Sequence, residues 1–163
     1  MKLTLFLMTC LFFSLCQPVT AQQSLASGST APVTITADRL DADDAAQKLV
    51  FDGNAVARQG DVSISSDRLI VEYAPESREV QQIVAEGHVH IVQGARVATS
   101  GRAVYDKGTE RIVLTDSPIV KEGPNSVQGH EIVLFMDGQR SIVKGGRDSR
   151  VKAIFQPGSG DAL

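Results

Sequence analysis

A repeat of about 30 residues is the feature that most constrains how this chain can fold. Residues 35–40 return at 64–69, where Asp38-Arg39-Leu40 is matched by Asp67-Arg68-Leu69, and weaker copies occupy 98–103 and 127–132. A second, apolar column keeps similar steps and is formed by Leu49, Ile83, Val113 and Ile142. Chains with repeats of this length stack one supersecondary unit on the next. The sequence therefore predicts four stacked copies of one unit.

Each repeat has the pattern of two short β-strands. Apolar and polar residues alternate, Gly, Asn, Asp and Pro recur every few residues, and no segment keeps the period of a helix. Turns are expected at 74–77 and 106–108, and the longer second repeat places its additional residues around 76–81. We therefore expect an all-β fold. Stacked hairpins with one apolar face must close on each other, as a sandwich, a jelly roll or a β-solenoid.

The alternation assigns one face of the strands to the interior. The residues predicted to point inward are Leu40, Leu49, Phe51, Leu69, Val71, Tyr73, Ile83, Val89, Ile91, Tyr105, Val113, Ile119, Ile132, Leu134 and Met136. The charged residues between them, Arg39, Arg68, Arg102 and Glu131, are expected to face water. The column formed by Ile35, Ile64, Ala98 and Val127 has the opposite parity to the Leu40 column, which predicts a bulge between the two.

The fourth repeat is apolar on its other face as well, at Val133 and Phe135. This pattern predicts a cover on both sides of that repeat, for which a partner is one candidate. The first and last strands of an open stack would remain unpaired at their edges, and such edges invite another chain.

The beginning of the chain has the pattern of a secretory signal peptide. Lys2 precedes an apolar run over residues 3–16, and Val19-Thr20-Ala21 supplies a small-residue cleavage site, so residues 1–21 are expected to be removed. The run is shorter than the roughly 20 residues of a membrane-spanning helix. Lipid modification of Cys16 is the alternative, but Leu15 stands where lipoprotein signals need a small residue. The mature product is therefore expected to be exported and soluble.

The rest of the chain is expected to consist of a flexible leader, a β domain and a disordered tail. These segments cover residues 22–32, 33–155 and 156–163, respectively. Both cysteines, Cys10 and Cys16, lie in the signal segment, which excludes disulfides and thiolate chemistry from the mature chain. The net charge of −3 is spread without a basic stripe, which argues against nucleic acid as a partner.

Candidate catalytic and metal sites have simpler explanations. His88 and His90 would share a strand face, but inward Val89 and Ile91 leave them in solvent. Four aspartates resemble calcium ligands but lack the spacing of a calcium loop: Asp38, Asp41, Asp43 and Asp44. The Ser-x-x-Lys spacings at 141–144 and 149–152 place serine and lysine on opposite faces of a strand. We expect no enzyme activity, metal or cofactor. A β-solenoid enzyme that acts on polysaccharide is disfavoured because this sequence has no pair of inward carboxylates.

Two motifs in tandem resemble a known family. The acidic-Arg-Leu segments at 38–40 and 67–69 are each followed by a glycine-containing strand. The first of these strands is Phe51-Asp52-Gly53-Asn54-Ala55-Val56 with Gln59-Gly60, and its echo is Glu86-Gly87-His88-Val89 with Gln93-Gly94. After an export signal, this pattern is similar to the LptA family, also called the organic-solvent-tolerance-A-like domain, over residues 33–155. Repeat three departs from the family pattern, because Asp116-Ser117-Pro118 stands where Gly-Asn is expected. Repeat four keeps only Gly145-Gly146 of the motif.

The resemblance implies a fold, a location and partners. The fold would be a twisted antiparallel β-jelly roll of four strand-pair repeats, open at its ends. The protein would be a periplasmic, non-enzymatic bridge for lipopolysaccharide between an LptC-like inner-membrane anchor and an LptD-like outer-membrane translocon, and would self-associate end to end. The inward residues named above would contact the lipid A acyl chains. Edge backbone would pair with neighbouring subunits at Ile35, Thr36, Val151, Ile154 and Phe155.

Two alternatives stay open from the residues alone. Ala55, Ala57, Ala85 and Ala103 are small among larger inward side chains and would leave a groove, whereas a closed and dry core would be equally apolar. The alternative function is a periplasmic β-repeat that scaffolds or assembles partners without transferring lipid.

Overall fold

The computed structural model describes residues 32–136 and 140–157, and in these residues it contains twelve β-strands and no helix. The strands are β1 (Thr34–Thr36), β2 (Arg39–Asp43), β3 (Lys48–Gln59), β4 (Val62–Tyr73), β5 (Val80–Gln93), β6 (Arg96–Asp106), β7 (Arg111–Thr115), β8 (Ile119–Glu122), β9 (Asn125–Gln128), β10 (Glu131–Phe135), β11 (Ser141–Lys144) and β12 (Lys152–Ile154). The all-β prediction is confirmed. The predicted signal peptide, the leader up to residue 31 and the tail from residue 158 lie outside the described residues. A helix able to cross a membrane is not found in the described ranges.

All twelve strands are joined in one antiparallel sheet that divides into two wings. The long strands β3 to β6 pair with each other along their length, and both ends of this block split. On one side β3 pairs with β1 and with β2, and on the other β6 pairs with β7 and with β8. Wing A contains β1, β8, β9 and β12, and wing B contains β2, β7, β10 and β11. Together with the four long strands, each wing is eight strands wide.

A line of β-bulges separates the wings. Register shifts fall between Asp52 and Ala55 of β3, between Ser65 and Arg68 of β4, and between Glu86 and Val89 of β5. The predicted bulge between the Ile64 column and the Leu69 column is thus confirmed. Because a bulge bends its strand, the two wings fold toward each other along this line, which we call the crease. The result is an open, bent sheet of the jelly-roll type.

One glycine and one aspartate meet at each bulge of the crease. Asp38 lies against Gly53, which has a φ of +78°, and Asp67 lies against Gly87, which has a φ of +75°. In the third repeat the two residue types change places, and Asp116 lies against Gly101. A Cβ on any of these glycines would collide with the aspartate side chain, so the pairing of the two residue types explains their repetition in the sequence.

The outer face of wing B carries a row of alternating charge. The row crosses successive strands and is formed by Arg39, Asp52, Arg68, Glu86 and Arg102. The Arg102 Nε atom lies 3.4 Å from Glu86 Oε1, and Lys144 Nζ lies 2.6 Å from Glu131 Oε1 farther along the same face. The residues predicted to face water therefore lie outside, where opposite charges stand on neighbouring strands and attract each other.

The second apolar face of repeat four is covered by the chain itself. Val133 belongs to an outer row of β-branched residues that also contains Val84, Val104, Val113 and Ile142, and it is only 8% exposed. The ring of Phe135 lies between two guanidinium groups, 5.0 Å from that of Arg111 and 5.1 Å from that of Arg140. Cross-strand packing and cation–π contacts account for these residues.

Candidate functional site

The inner face of the sheet is apolar along its length. Strand pairing arranges its side chains in rows that cross the strands. The row beside the crease in wing B, the crease row, is Phe51, Leu69, Ala85, Ala103, Leu114 and Ile132. Two residues farther from the crease lies the open row, Leu49, Val71, Ile83, Tyr105, Ile112 and Leu134. The wing A row is Ile35, Ala57, Ile64, Ile91, Ala98, Val120 and Val127.

The crease row is a packed core. Leu69 and Leu114 are 0% exposed and Ile132 is 1% exposed, with Ala85 and Ala103 between the larger side chains. One buried cluster joins this row to Ala57, Ile91, Ala98 and Val120 of wing A. The alanines, which the sequence suggested as the walls of a groove, let the two wings approach each other. At the crease, therefore, the interior is closed and packed.

The open row is less enclosed, although it points in the same direction. Leu49, Ile83, Tyr105, Ile112 and Leu134 are only partly buried, whereas Val71 between them is 4% exposed. Exposed apolar area of this kind costs free energy in water, at about 25 cal/mol per Å². The open row is thus the part of the inner face on which an apolar ligand has surface to cover.

Most of the residues predicted to point inward lie on the inner face. They are Leu40, Leu49, Phe51, Leu69, Val71, Tyr73, Ile83, Val89, Ile91, Tyr105, Ile132 and Leu134. Leu40 is nonetheless 54% exposed because β2 is an outermost strand. Met136 follows the end of β10 and is 41% exposed in the turn. That any of them contacts lipid stays a prediction.

Val113 and Ile119 face outward, contrary to the prediction. Val113 pairs with Val104 and Val133 in the outer row of wing B, and Ile119 pairs with Thr99 on the outside of wing A. The inward positions of these strands are Ile112, Leu114 and Val120, which sequence reasoning missed. Residues 112–114 and 119–120 are apolar on both faces, so nothing in the alternation fixes their register, and a slip of one residue reverses the face.

Each end of the molecule presents outermost strands of both wings. These are β1 and β2 at one end and β11 and β12 at the other. Ile35 and Thr36 lie in β1, Ile154 lies in β12, and Val151 and Phe155 flank β12. Val151, Ile154 and Phe155 are 42%, 50% and 60% exposed, respectively. The residues chosen from sequence as pairing edges are thus at the edges, and pairing with another chain stays a prediction.

The two rims of the inner face differ in chemistry. At the rim of wing A the inward positions are mostly polar, and there Arg96 donates from Nε and Nη2 to Glu122 Oε2 at 3.1 and 2.9 Å. At the rim of wing B, Tyr73 Oη donates to Asp44 Oδ1 at 2.6 Å and Arg78 Nη1 donates to the same oxygen at 3.1 Å. The hydrogen bond from Tyr73, helped by the charge of Arg78, lowers the pKa of Asp44, and the same hydrogen bond raises the pKa of Tyr73.

The family model that describes the "LptA/(LptD N-terminal domain) LPS transport protein" matches residues 34–140, nearly all of the bent sheet. The chain belongs to this family. The resemblance carried by the two tandem motifs is therefore confirmed. Because the family is one of transport proteins, the prediction of a non-enzymatic, LptA-like protein is confirmed as well.

Individual proteins are also similar to the chain, and they include a protein of Rhizobium meliloti and one of Pseudomonas aeruginosa. The protein R00383 of Rhizobium meliloti (strain 1021), described as uncharacterized, is 25% identical over 123 residues, which are 71% of this chain and 66% of that protein. The chain thus spans slightly less than two thirds of the length of this relative. A crystal structure of LptH, "the LptA homologous periplasmic component of the conserved lipopolysaccharide transport device from Pseudomonas aeruginosa", superposes with a TM-score of 0.72. It covers 80% of this chain and 99% of that chain at 19% identity, and so shows a shared fold.

Proposed function

We propose that this protein carries lipopolysaccharide through the periplasm by holding the acyl chains of lipid A against its inner face. The observation that carries the proposal is the open row, in which every large apolar side chain except Val71 stays partly accessible. Membership of a family of lipopolysaccharide transport proteins supports this cargo. In the wing A row, Ile35, Ile64 and Val127 are also only partly buried and add apolar surface to the same inner face.

The physical need for such a surface follows from the cargo. At about 0.8 kcal/mol per CH₂, exposing one acyl chain of about 12 carbons to water costs on the order of 10 kcal/mol. Lipid A carries several chains, so a carrier must keep them covered at every step. An apolar row that runs across the strands gives each chain a new apolar contact as it leaves the previous one.

Copies of the protein are proposed to stack end to end, so that the inner faces join. Because each wing has eight antiparallel strands, its first and last strands run in opposite directions. A second copy in the same orientation therefore continues the antiparallel pairing in both wings at once, β11 with β2 and β12 with β1. This arrangement also keeps crease next to crease, which a joined groove requires.

Charge supports the same direction of stacking. The N-terminal edge, residues 33–44, is acidic, with Asp38, Asp41, Asp43 and Asp44 against the single cation Arg39. The described residues of the C-terminal edge, 140–157, are basic, with Arg140, Lys144, Arg147, Arg150 and Lys152 against the single anion Asp148. Unlike ends attract and like ends repel, so head-to-tail contact is favoured and weakens as salt is added.

The proposed location and partners complete this function. The predicted signal peptide supports export to the periplasm, and LptH, which shares the fold, is described as a periplasmic component. The free edges would meet an LptC-like anchor on the inner-membrane side and an LptD-like translocon on the outer-membrane side. The same type of strand pairing would serve these contacts and the contacts between copies.

In-cell crosslinking tests the lipid contact. A photoreactive residue is placed at Leu134 in the open row and, as a matched control, at Arg68 on the outer face of the same wing. We expect lipopolysaccharide adducts at Leu134 and none at Arg68. Absence of adducts at Leu134, or equal adducts at both positions, would favour the scaffold without lipid transfer.

Disulfide trapping tests the stacking. The described residues contain no cysteine, and in the proposed register Val143 of one copy stands beside Leu40 of the next. Cysteines at Val143 and Leu40 are expected to give a ladder of linked multimers. The control pairs a cysteine at Ile142, which faces outward, with the same one at Leu40, and equal crosslinking of the control would contradict the register.

A further inference from the structure

Two charged residues stand apart from all others on the inner face. Among the paired strand positions that face inward in the described ranges, only Arg96 and Glu122 carry charge. They are directly opposite each other on β6 and β8, at the rim of wing A. Their side chains are 33% and 31% exposed, so each is largely covered but still reachable from the open side of the sheet.

The immediate surroundings of this pair are polar but uncharged. The neighbouring inward positions of the same transverse row include Gln59, Gln93 and Asn125. Beyond them toward the crease begins the wing A row, which is apolar throughout. On β3, β5, β6, β8 and β9 the inner face therefore changes from apolar to polar within two residues, which matches the boundary between the chains and the headgroup of an amphipathic lipid.

Both hydrogen bonds of the pair use one oxygen of Glu122. Arg96 donates from Nε and Nη2 to Oε2, which leaves its Nη1 group and the Glu122 Oε1 atom out of these bonds. Guanidinium groups bind phosphate through several parallel hydrogen bonds, and a half-covered site strengthens such contacts relative to open water.

We propose that Arg96, which is held in place by Glu122, binds and anchors an anionic lipid headgroup. By this contact Arg96 orients the lipid with its headgroup at the rim of wing A. This inference rests on the proposed function. The guanidinium binds a phosphate of the headgroup while the acyl chains lie along the open row. Glu122 is a positioning residue, because it fixes the direction of the guanidinium and partly neutralises its charge.

Lipid-binding measurements on substituted proteins test the anchor. Binding is measured for lipopolysaccharide before and after enzymatic removal of its lipid A phosphates. Arg96→Gln is expected to weaken binding of the intact lipid about ten-fold or more and to leave binding of the dephosphorylated lipid unchanged. Glu122→Gln keeps an oxygen that can accept the same hydrogen bonds from Arg96, and so keeps the direction of the guanidinium, but it removes a competing anion. This variant is expected to tighten binding of the intact lipid, whereas a purely structural ion pair would lose affinity in both variants.

The chain offers a matched control in Arg102. This residue lies on the same strand, β6, and pairs with Glu86 in a similar way, but on the outer face. Arg102→Gln changes the net charge equally and is expected to leave lipid binding unchanged. If Arg96→Gln and Arg102→Gln both bind intact lipid as the parent protein does, the anchor is wrong and the lipid-carrying function stands. If the parent protein binds neither lipid, the proposed function fails together with the anchor.

Discussion

The crease row and the open row lie two residues apart on the same strands and have different environments. Leu114 and Ile132 are buried to 0% and 1% exposure, while their neighbours Ile112 and Leu134 on the same inner face are only partly buried. Small residues such as Ala103 let the wings close at the crease, and large ones such as Tyr105 line the opening. On β5, β6, β7 and β10, two residues along the strand thus separate a side chain that stabilises the fold from one that is accessible to a ligand.

Truncation in the two rows is expected to separate stability from binding. Leu114→Ala should lower the free energy of unfolding by about 2–5 kcal/mol, since it removes a fully buried side chain and leaves a cavity. Ile112→Ala should cost less than half of that, because part of the side chain already contacts water, but should weaken lipid binding. Chemical denaturation of both variants measures the difference, and equal destabilisation would show that the open row is core as well.

The bulges of the crease are expected to be the next most sensitive positions. Gly87→Ala places a side chain at a positive φ, which costs roughly 1–2 kcal/mol, and also against Asp67. Adding Asp67→Gly should recover the part of the lost stability that comes from contact with Asp67, but not the part that comes from the positive φ. A double-mutant cycle by thermal unfolding measures both parts. Additive effects of the two changes would contradict the proposed contact between glycine and aspartate at the bulge.

The turns at the rim of wing B should give the smallest effect, which depends on pH. The pKa values of Asp44, Glu79 and Asp106 are lowered, chiefly by hydrogen bonds from Tyr73, Lys107 and Thr109, respectively. A carboxylate whose pKa is lowered by folding stabilises the fold above its ordinary pKa, and this contribution disappears as the pH falls through the lowered value. We therefore expect these turns to lose protection from hydrogen exchange below about pH 4, while the crease keeps it.

A Tyr73→Phe variant sharpens the pH prediction. It removes the strongest of the interactions that lower the pKa of Asp44 and should shrink the pH dependence at the β2–β3 turn only. Loss of protection at the crease before the turns would contradict the account.

The sequence alone was sufficient to predict which side of a strand points inward where only one face of that strand is apolar. Leu40 stands between Arg39 and Asp41, and Val89 stands between His88 and His90, so their inward direction follows from the pattern. It was insufficient at residues 112–114 and 119–120, where both faces are apolar and only pairing with β6 fixes the register. The Arg96–Glu122 pair could not be predicted because its partners are 26 residues apart and meet only when β8 joins the sheet.

The different burial of the crease row and the open row could not be predicted from the sequence either. Ala85 and Ile83 have the same inward parity, and alternation alone gives them the same environment. Which of them is enclosed depends on where the sheet bends. That position is set by the contact between Gly87 and Asp67, which lie on different strands, and not by any property of one strand itself.

Methyl-resolved NMR on the protein with and without lipopolysaccharide tests the central claim most directly. The account predicts that the methyl groups of Ile83, Ile112 and Leu134 shift and show contacts with acyl-chain protons. Those of Leu114 and Ile132 in the crease row, and of Val104 and Val113 on the outer face, should stay unchanged. Acyl contacts on the outer face, or an open row that does not respond to lipid, would contradict it.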